Sequence, residues 1–512
     1  MNNAALIRAL ITYAVCVPLA VFVGYQLTDP LTYSTFFWVG LLVFIMIYPI
    51  LMRWHHLMLI ISWNVIAVVF FIPGNPYLWM VMVMVSLGVS ILQKTMNRRT
   101  QFINVPQITW SLVCLFLVIL ATAKMTGGIG LRTMGSDVYG GKKYIVLLCS
   151  ILGYFALTLH AIPPKRVRLC IAAFFLGGLT GLIGDAFYRI APGMNFIFWM
   201  FPPNYDVAVK EYFDLGTTRL NGAVPLSAAI YFYMLARYGL RGIFTMSKPW
   251  RAALLALSVA IGLLGGFRGT VIVYAMIFIL LFFLEGLHRT KLVLPMVFFG
   301  LMAGMTIIAV APKLPYTYQR SLSFLPIPVD PEAKRDAQGT AEWRVEIWRA
   351  VMPQIPKHLL LGTGYAISAV EWTNLRVHSQ AGFTEDWAST IVGDYHNGPL
   401  SVILPFGIWG VIAFVWFLVA GMRAMYLNHM YGAPELRIVN TFLFASFITK
   451  TFMFLLIFGA LNSDMQQFVG LLGFSISLNG GVCRPSQATV PEANRSEGIA
   501  NLLSRRRPVF QR

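Results

Sequence analysis

Long apolar runs restrict the fold of this chain more than any other feature of its sequence. They recur along most of the chain and measure roughly 17 to 24 residues each, enough for an α-helix to cross about 30 Å of hydrocarbon. A membrane β-barrel is not indicated, because barrel strands are shorter and alternate between apolar and polar residues. Charged residues make up only 12% of the chain, against about 25% in a typical soluble domain. The sequence therefore predicts an all-α, polytopic transmembrane helical bundle.

We expect about 12–14 membrane spans from these runs. Their expected positions are near residues 5–27, 34–52, 56–72, 77–93, 106–123, 144–162, 169–185, 222–240, 251–266, 268–285, 291–311, 398–421, 439–459 and 464–480. The first run follows a short N-terminus with one Arg, and no small-residue cleavage site comes after it. We therefore interpret it as a span and not as a signal peptide.

The distribution of Lys and Arg between the loops predicts how the spans are oriented. One set of loops is strongly basic, whereas the other set carries balanced charge. The positive-inside rule places the basic loops and both termini in the cytoplasm. The formal net charge of +19 then reflects membrane topology. It does not indicate nucleic-acid binding, because no soluble segment shows a basic stripe with interleaved aromatic residues.

Three polar segments are expected on the outer side of the membrane: residues 124–143, 186–221 and 312–397. The tail from about residue 484 is expected to be disordered and to contact anionic lipid through Arg505, Arg506 and Arg507. The five Cys lie in or beside apolar runs or in the tail, so no disulfide framework is indicated. No metal-ligand spacing or phosphate-binding loop appears, and we expect neither a metal nor a cofactor.

A helix is expected near residues 340–352, within the longest outer segment. One face of it follows the i, i+3, i+4, i+7 spacing and comprises Arg344, Ile347, Trp348 and Val351. Because an unpaired buried charge is unfavourable, the Arg344 guanidinium on this face needs an anionic partner. That partner is a loop carboxylate, a lipid headgroup or an anionic substrate.

His396 lies in the sequence Asp394-Tyr395-His396-Asn397-Gly398-Pro399, directly before a predicted span. Asn397 is a favourable N-cap, and Pro is tolerated in a first helical turn. This places His396 beside a helix N-terminus, where the dipole disfavours imidazolium and attracts anions. A neutral His there could act as a general base. The alternative is a polar residue that only marks the boundary between loop and membrane.

Three more cations in or beside spans have both a structural and a functional interpretation. Arg268, held between glycines at the junction of two apolar runs, is either an interfacial anchor or a ligand for a phosphate group. Arg219 precedes a span and is either a snorkelling flank or part of the same anion site. Lys450 lies inside a predicted span, where it is either paired within the bundle or functional. Several Arg and one His on one side of the membrane suit an anionic lipid-linked substrate such as a diphosphate.

These residues resemble the motifs of the O-antigen ligase and O-antigen polymerase superfamily. His396-Asn397 followed after nine residues by Gly407-x-x-Gly410 resembles its signature, and WRVEIWRAVMPQIPKHLLLGTGY resembles its Arg-containing helix, Pro and Gly-x-Gly stretch. FRGTVIVYAM and TTRLNGAVPLSAAI resemble its Arg-Gly and Arg-x-x-Gly span entries. The likeness covers about residues 215–420.

The resemblance implies a GT-C-like, metal-independent glycosyltransferase in the bacterial inner membrane, with its active site at the periplasmic face. It would move a saccharide from a polyprenyl-diphosphate carrier to an acceptor hydroxyl on a glycan or on lipid A core, in contact with membrane lipids. The resemblance implies catalytic roles for His396, Arg268 and Arg344. It implies substrate binding by Arg219, Gly362, Gly364 and Asn397.

The expected organisation has three parts: an N-terminal transmembrane scaffold at 1–214, a ligase/polymerase-like core at 215–480 that includes the loop 312–397, and a cytoplasmic tail at 481–512. The motifs do not separate a ligase from a repeat-unit polymerase or a protein O-oligosaccharyltransferase. A transporter or flippase of lipid-linked glycan is the alternative from another class. It is less favoured, because transporters tend to show paired halves and mid-membrane binding sites.

Overall fold

The computed structural model describes residues 3–26, 28, 33–96, 102–130, 139–204, 219–371, 373 and 393–485. Most of the tail and parts of the three expected outer segments lie outside these ranges. The expectation that the tail is disordered and contacts lipid therefore stays a prediction.

The described residues fold into α-helices that we number in chain order. They are α1 (Asn3–Gln26), α2 (Tyr33–Ser62), α3 (Leu78–Met96), α4 (Pro106–Met125), α5 (Gly141–Leu157), α6 (Val167–Leu176), α7 (Ile183–Ile190), α8 (Asn195–Met200), α9 (Ala223–Ile243), α10 (Trp250–Leu263), α11 (Arg268–Leu284), α12 (Val293–Val310), α13 (Tyr316–Leu322), α14 (Pro331–Val351), α15 (Ile355–His358), α16 (Gly398–Tyr431), α17 (Arg437–Phe452) and α18 (Leu461–Asn479). Short 3-10 turns occupy Pro164–Arg166, Gly177–Leu182, Leu287–Arg289, Ala311–Lys313, Met352–Gln354 and Pro434–Leu436, and a π-helical turn occupies Met453–Ile457.

The all-α, polytopic fold class is confirmed. Within the described ranges there is no strand, and the β-type pairing consists of two isolated bridges, Val68 with Tyr77 and Tyr139 with Ile367. Seven segments are long and apolar enough to cross a membrane: Ile45–Ser62, Leu78–Met96, Pro106–Met125, Pro164–Ile190, Met296–Lys313, Gly398–Tyr431 and Pro434–Ile457. Shorter apolar helices lie at Cys16–Tyr25, Trp250–Leu263 and Arg268–Leu284.

The prediction of separate spans near 34–52 and 56–72 is wrong. Helix α2 runs without a break across this boundary, and residues 63–77 form turns and a bridge. His55 and His56 lie at the boundary between the two expected spans, and both rings find partners inside the bundle. His55 Nδ1 lies 2.9 Å from Ser86 Oγ, and His56 Nε2 lies 2.8 Å from the Leu157 carbonyl. The other expected spans overlap helices.

The core of the bundle packs around Trp63, which directly follows α2. Its indole is 1% exposed and lies against Gly153 of α5 and Gly470 of α18. A Cβ at either glycine would collide with the indole, so glycine is required at both positions for the helices to approach. The Trp63 carbonyl accepts a hydrogen bond of 2.7 Å from the Gln466 amide. This contact joins the N-terminal helices to the last helix of the chain.

The described part of residues 312–397, which we call the outer segment after its expected position, is packed onto the bundle by α14. As predicted, its apolar face is buried: Ile347 and Val351 are each 1% exposed and form a cluster with Leu400 and Leu404 of α16. Trp348 Nε1 donates a 2.8 Å hydrogen bond to the Tyr395 carbonyl, just before α16 begins. This packing fixes α14 beside the N-terminus of α16 and so brings the Arg and His candidates together.

Candidate functional site

A cavity of about 1860 Å³ lies between the outer segment and the transmembrane helices. Its walls have two contrasting parts. Much of the wall is apolar and includes Ile66, Met80, Phe174, Val224, Phe232, Val273, Ile277 and Leu471. The remainder carries polar groups, among them the side chains of Arg219, Arg268, Arg320, Arg344, His396 and Lys450. An elongated molecule with an apolar tail and a polar head would find both environments here.

Arg320 is the best-anchored cation of this wall. It lies in α13, is 5% exposed, and forms an ion pair with Asp336 of α14. Its Nη1 donates to the Gly266 carbonyl at 2.7 Å, and its Nη2 donates to Thr340 Oγ1 at 3.1 Å. The guanidinium thus ties α13, α14 and the turn before α11 into one unit.

Asp336 is the carboxylate that these arginines share. Besides Arg320, the Arg219 guanidinium lies 3.6 Å from Asp336 Oδ2. Burial raises the pKa of Asp336, but the hydrogen bond and charge of Arg320, with the charge of Arg219, hold the pKa below its usual value. Asp336 thus pairs with Arg320 and Arg219, whereas Arg268 and Arg344, which also line the cavity, form no ion pair with a described residue.

Arg268 and Arg344 form no ion pair with a carboxylate in the part of the chain that the structure describes. Arg268, the first residue of α11, donates from Nη2 to the Ala337 carbonyl at 2.8 Å. Arg344 makes no ion pair with a described residue, and its buried Nε has no hydrogen-bond partner among them. Its guanidinium carbon lies 5.1 Å from the centre of the Phe458 ring. Burial, followed by the charges of Arg268 and Arg320, lowers the pKa of Arg344. An anion in the cavity would relieve this repulsion.

His396 lies at the N-terminus of α16, as its sequence context predicted. Asn397 is the N-cap, and its Oδ1 accepts a 3.0 Å hydrogen bond from the Leu400 amide. The His396 backbone is in the left-handed region, with φ +49°. Such a conformation is uncommon outside glycine and is held here by the cap and by the packing of Tyr395. It turns the imidazole into the cavity.

Two aromatic rings hold the His396 imidazole in place. The ring centre lies 5.3 Å from that of Phe458, nearly parallel to it, and 5.1 Å from that of Trp343. Nδ1 is buried and 3.6 Å from Asp394 Oδ1, while the side chain as a whole stays 23% exposed. Burial lowers the pKa of His396, the charge of Asp394 raises it, and the charges of Arg344 and Lys143 lower it, so the balance favours neutral imidazole.

Part of the chain matches a known protein family. Residues 252–415 match the family model described as O-antigen ligase. Over these residues the chain is similar to the O-antigen ligase superfamily. The resemblance expected from the motifs is therefore confirmed at the level of the superfamily. No match was found among curated proteins.

The matched residues contribute part of the charged groups at the cavity. Arg268, Arg320, Asp336, Arg344 and His396 fall inside the matched residues. Outside them, the wall also includes Arg219 before α9, Lys450 of α17, and Phe458 of the connection between α17 and α18. The site is thus built from more of the chain than the matched domain.

The predicted substrate-binding glycines lie at a packing contact and not on the cavity wall. Gly362 and Gly364 have φ +71° and +68°, and the turn that contains them pairs with a break in α16. Thr363 N donates to the Leu404 carbonyl at 2.8 Å, and Gly364 N donates to the Pro405 carbonyl at 3.0 Å. The break itself is at Gly407, with φ +61°. The Gly-x-Gly stretch of the ligase domain therefore locks the outer segment onto α16.

Lys450 is paired, one of the alternatives left open by the sequence. Its Nζ lies 2.6 Å from Asp464 Oδ1, and the other carboxylate oxygen accepts a 2.9 Å hydrogen bond from the Ala460 amide. This pair fixes the connection between α17 and α18, where the helix unwinds after a π-helical turn. Phe458 belongs to this connection, so the pair supports the ring that contacts His396 and Arg344.

The structure brings together four of the predicted site residues, Arg219, Arg268, Arg344 and His396, as lining residues of one cavity. Asn397 acts as a helix cap and, like the two glycines, is not among the lining residues. Sequence reasoning missed Arg320, Asp336 and Phe458. Arg320 and Asp336 are separated by sixteen residues in a polar segment without periodicity, and Phe458 becomes visible only where α17 unwinds.

Proposed function

We propose that this protein is an integral-membrane glycosyltransferase that moves a saccharide from a polyprenyl-diphosphate carrier to an acceptor hydroxyl, in the manner of an O-antigen ligase. One observation carries the proposal: four arginines, and a histidine whose pKa is lowered by burial, line the same partly apolar cavity. The membrane ligase/polymerase class follows from the matched domain. The donor, the acceptor and the residue roles are the proposed part.

The donor would lie with its diphosphate at the arginines and its prenyl chain along the apolar wall. Guanidinium groups bind phosphate oxygens through paired donors and stay charged. Arg344 is the strongest candidate, because it lines the cavity and forms no ion pair with a described residue. Arg268 would act beside it, while Arg219 and Arg320, both close to Asp336, would set the position of the cluster.

His396 would remove the proton from the acceptor. With Nδ1 shielded beside Asp394, Nε2 is the nitrogen left to accept that proton. The acceptor oxygen attacks the anomeric carbon as its O–H proton passes to Nε2. The bond from that carbon to the diphosphate oxygen breaks, and the electron pair leaves with the diphosphate, whose growing charge is stabilised by Arg344 and Arg268. A single displacement of this kind inverts the anomeric configuration.

The same chemistry serves a ligase, a repeat-unit polymerase or a protein O-oligosaccharyltransferase, and the acceptor decides between them. We place the site at the periplasmic face of a bacterial inner membrane, with both termini cytoplasmic, on the strength of the basic loops. A transporter that uses Lys450 as a relay is less supported, because Asp464 already holds its ammonium group in an ion pair.

The test is transfer in reconstituted membranes from an extracted polyprenyl-diphosphate glycan to a panel of acceptors. We expect product with the wild-type protein and a loss of at least about 100-fold in His396→Gln, in line with the usual contribution of a general base. Arg344→Lys keeps the charge but removes the paired donors, so its rate should fall as well. Full activity of a folded His396→Gln variant would refute the base assignment. Movement of the glycan across the bilayer without any product would favour the transporter.

A further inference from the structure

The cavity wall contains a second polar region that the proposed chemistry does not use. It is formed by one face of α17 and the first turns of α18 and comprises Ser446, Thr449, Lys450, Asn462, Asp464 and Gln467. Ser446, Thr449 and Lys450 follow one another at i, i+3 and i+4, so the helix presents them together. We call this set the neutral pole, because its one ammonium and one carboxylate are paired at 2.6 Å.

Two hydroxyls of the neutral pole are buried without a protein partner. Ser446 is 7% and Thr449 1% exposed, and neither hydroxyl hydrogen-bonds any described residue. Helical Ser and Thr usually donate to the carbonyl four residues earlier. Thr441 and Thr451, near either end of the same helix, do so at 2.7 and 2.8 Å. Ser446 and Thr449, which both line the cavity, therefore keep unused hydrogen-bonding capacity in their hydroxyls.

These properties select the chemistry of the occupant. A prenyl chain would bury both hydroxyls against hydrocarbon and leave them unsatisfied, which is unfavourable. A phosphate would gain little, because Asp464 neutralises Lys450. A neutral molecule rich in hydroxyl groups satisfies both hydroxyls and can also bond to the amides of Asn462 and Gln467. That description fits a saccharide.

The neutral pole is also connected to the candidate base. Asp464 holds the Ala460 amide at 2.9 Å, and Phe458, two residues earlier, packs on the rings of His396 and Arg344. The Phe458 side chain is 40% exposed and lines the cavity between these groups. An apolar ring face beside hydroxyl and amide groups suits the apolar face of a sugar ring.

We propose that the neutral pole is a saccharide-binding subsite, separate from the arginine cluster and centred on Ser446 and Thr449. The inference rests on the proposed glycosyl transfer, in which a saccharide must lie next to His396. The saccharide is either the acceptor or the glycan portion of the donor, since both present the same chemistry. The subsite holds it by hydrogen bonds to the two hydroxyls and by contact with Phe458.

The experiment compares the full-length wild type with the double variant Ser446→Ala/Thr449→Val in nanodiscs. The saccharide probe is the glycan released by mild acid from the extracted lipid-linked donor, and the diphosphate probe is farnesyl diphosphate. Calorimetry gives Kd for each. We expect the glycan Kd to rise at least about fivefold, as for the loss of two hydrogen bonds, and the farnesyl diphosphate Kd to stay unchanged. Removing unpartnered hydroxyls leaves no protein group unsatisfied, so the variant should fold.

The matched control is Thr451→Val, which removes a hydroxyl from the same helix. That hydroxyl already donates to the Phe447 carbonyl and does not line the cavity, so the glycan Kd should not change. Equal glycan binding by the wild type and the double variant, or no glycan binding by the wild type, would overturn the subsite. If farnesyl diphosphate fails to bind the wild type while the glycan result holds, the donor assignment fails and the subsite stands.

Transfer kinetics then identify which saccharide occupies the subsite. A rise of KM for the acceptor alone in the double variant, with kcat retained, assigns the neutral pole to the acceptor. A rise of KM for the lipid-linked donor alone assigns it to the donor glycan. Unchanged KM values for both substrates would contradict the subsite even if the released glycan bound differently.

Discussion

His396 illustrates how one side chain is tuned by its immediate surroundings. The two rings that hold it, Phe458 and Trp343, remove water from the imidazole, while Asp394 lies close enough to act through its charge. The sequence predicted the helix cap and the loop position of this residue. It could not predict the left-handed backbone or the stacked rings, because Trp343 and Phe458 come from segments far away along the chain.

The first prediction concerns the pH dependence of transfer. The proposed base works only when neutral, and the pKa of His396 is lowered by burial and by Arg344 and Lys143. Activity should therefore persist to pH values below the usual histidine range and fall once His396 is protonated. Asp394 raises this pKa, so Asp394→Asn should move the acid limb of kcat/KM to still lower pH. The measurement is a pH–rate profile of wild type and variant, and an upward shift in the variant would contradict the assignment.

The second prediction concerns Arg320, which the sequence did not single out. Its guanidinium bonds to Asp336, Gly266 and Thr340, so Arg320→Met removes several charged hydrogen bonds at once. We expect a loss of about 2–3 kcal/mol in stability, the size of one or two such bonds after the partly exposed carboxylate regains water. Thermal unfolding measures it. In the Arg320→Met background, Asp336→Asn should lower stability little further, because the ion pair between the two side chains is already lost. Full additivity of the two losses would argue against a shared network.

At the scale of helices, the informative features are the places where helices break. Helix α16 is interrupted at Gly407, α17 is followed by a π-helical turn at Met453–Ile457, and α11 starts after a tight turn at Gly266. Each break lies beside a group of the site or beside the turn that locks the outer segment. Hydrophobic patterning located the helices but not these interruptions, because the residues on both sides of a break are equally apolar.

The wrong prediction of two spans at α2 also arose because a pattern along one segment does not show its contacts with other helices. Two separate spans were expected here, although His55 and His56, at their boundary, bond to Ser86 and the Leu157 carbonyl within the bundle. Burial of a polar residue depends on partners from other helices, which a pattern along one segment does not contain. By contrast, the second half of α14 was predicted, since its buried face and its exposed face differ strongly in polarity, although the helix begins earlier than expected, at Pro331.

The third prediction tests the lock between the outer segment and α16. Gly362 has a positive φ, and a Cβ there would collide with the Pro405 carbonyl. Gly362→Ala should therefore lower stability by at least about 2 kcal/mol and lower transfer activity by displacing α14 and Arg344. Gly339→Ala is the matched control: that glycine lies exposed in α14 with open space around it, and alanine should stabilise the helix by about 1 kcal/mol. Equal melting temperatures for both variants would contradict the lock.

On the scale of the whole molecule, the cavity combines groups that lie far apart along the chain. Arg219 precedes α9, the arginines of the outer segment come from the middle, and Lys450 and Phe458 come from the last helices. The sequence predicted the chemical types of these groups, because motifs are local, and the side of the membrane stays a prediction. It did not predict the neutral pole, since hydroxyls in an apolar helix look like ordinary packing residues until their missing partners are visible.

The fourth prediction follows from Arg268 and Arg344, which form no ion pair with a described residue. A ligand that binds only the folded protein stabilises it by RT ln(1 + [L]/Kd), about 2.7 kcal/mol at one hundred times Kd. Farnesyl diphosphate should therefore raise the melting temperature of the wild type in nanodiscs, and farnesol, which lacks the phosphates, should not. Arg344→Met removes the cation with no carboxylate partner among the described residues, so it should abolish most of the shift while leaving the unliganded melting temperature close to that of the wild type.

The comparison with Arg320→Met makes this last test specific. Both variants lose one guanidinium, but Arg320 is held by several protein groups and Arg344 by an aromatic ring. Arg320→Met should lower the unliganded melting temperature, whereas Arg344→Met should lower mainly the response to diphosphate. If the two variants lost stability and ligand response in the same proportion, the arginines would serve a single structural purpose. A separation of the two effects would instead mean that Arg320 holds the cluster together, whereas Arg344 is available to bind an anion.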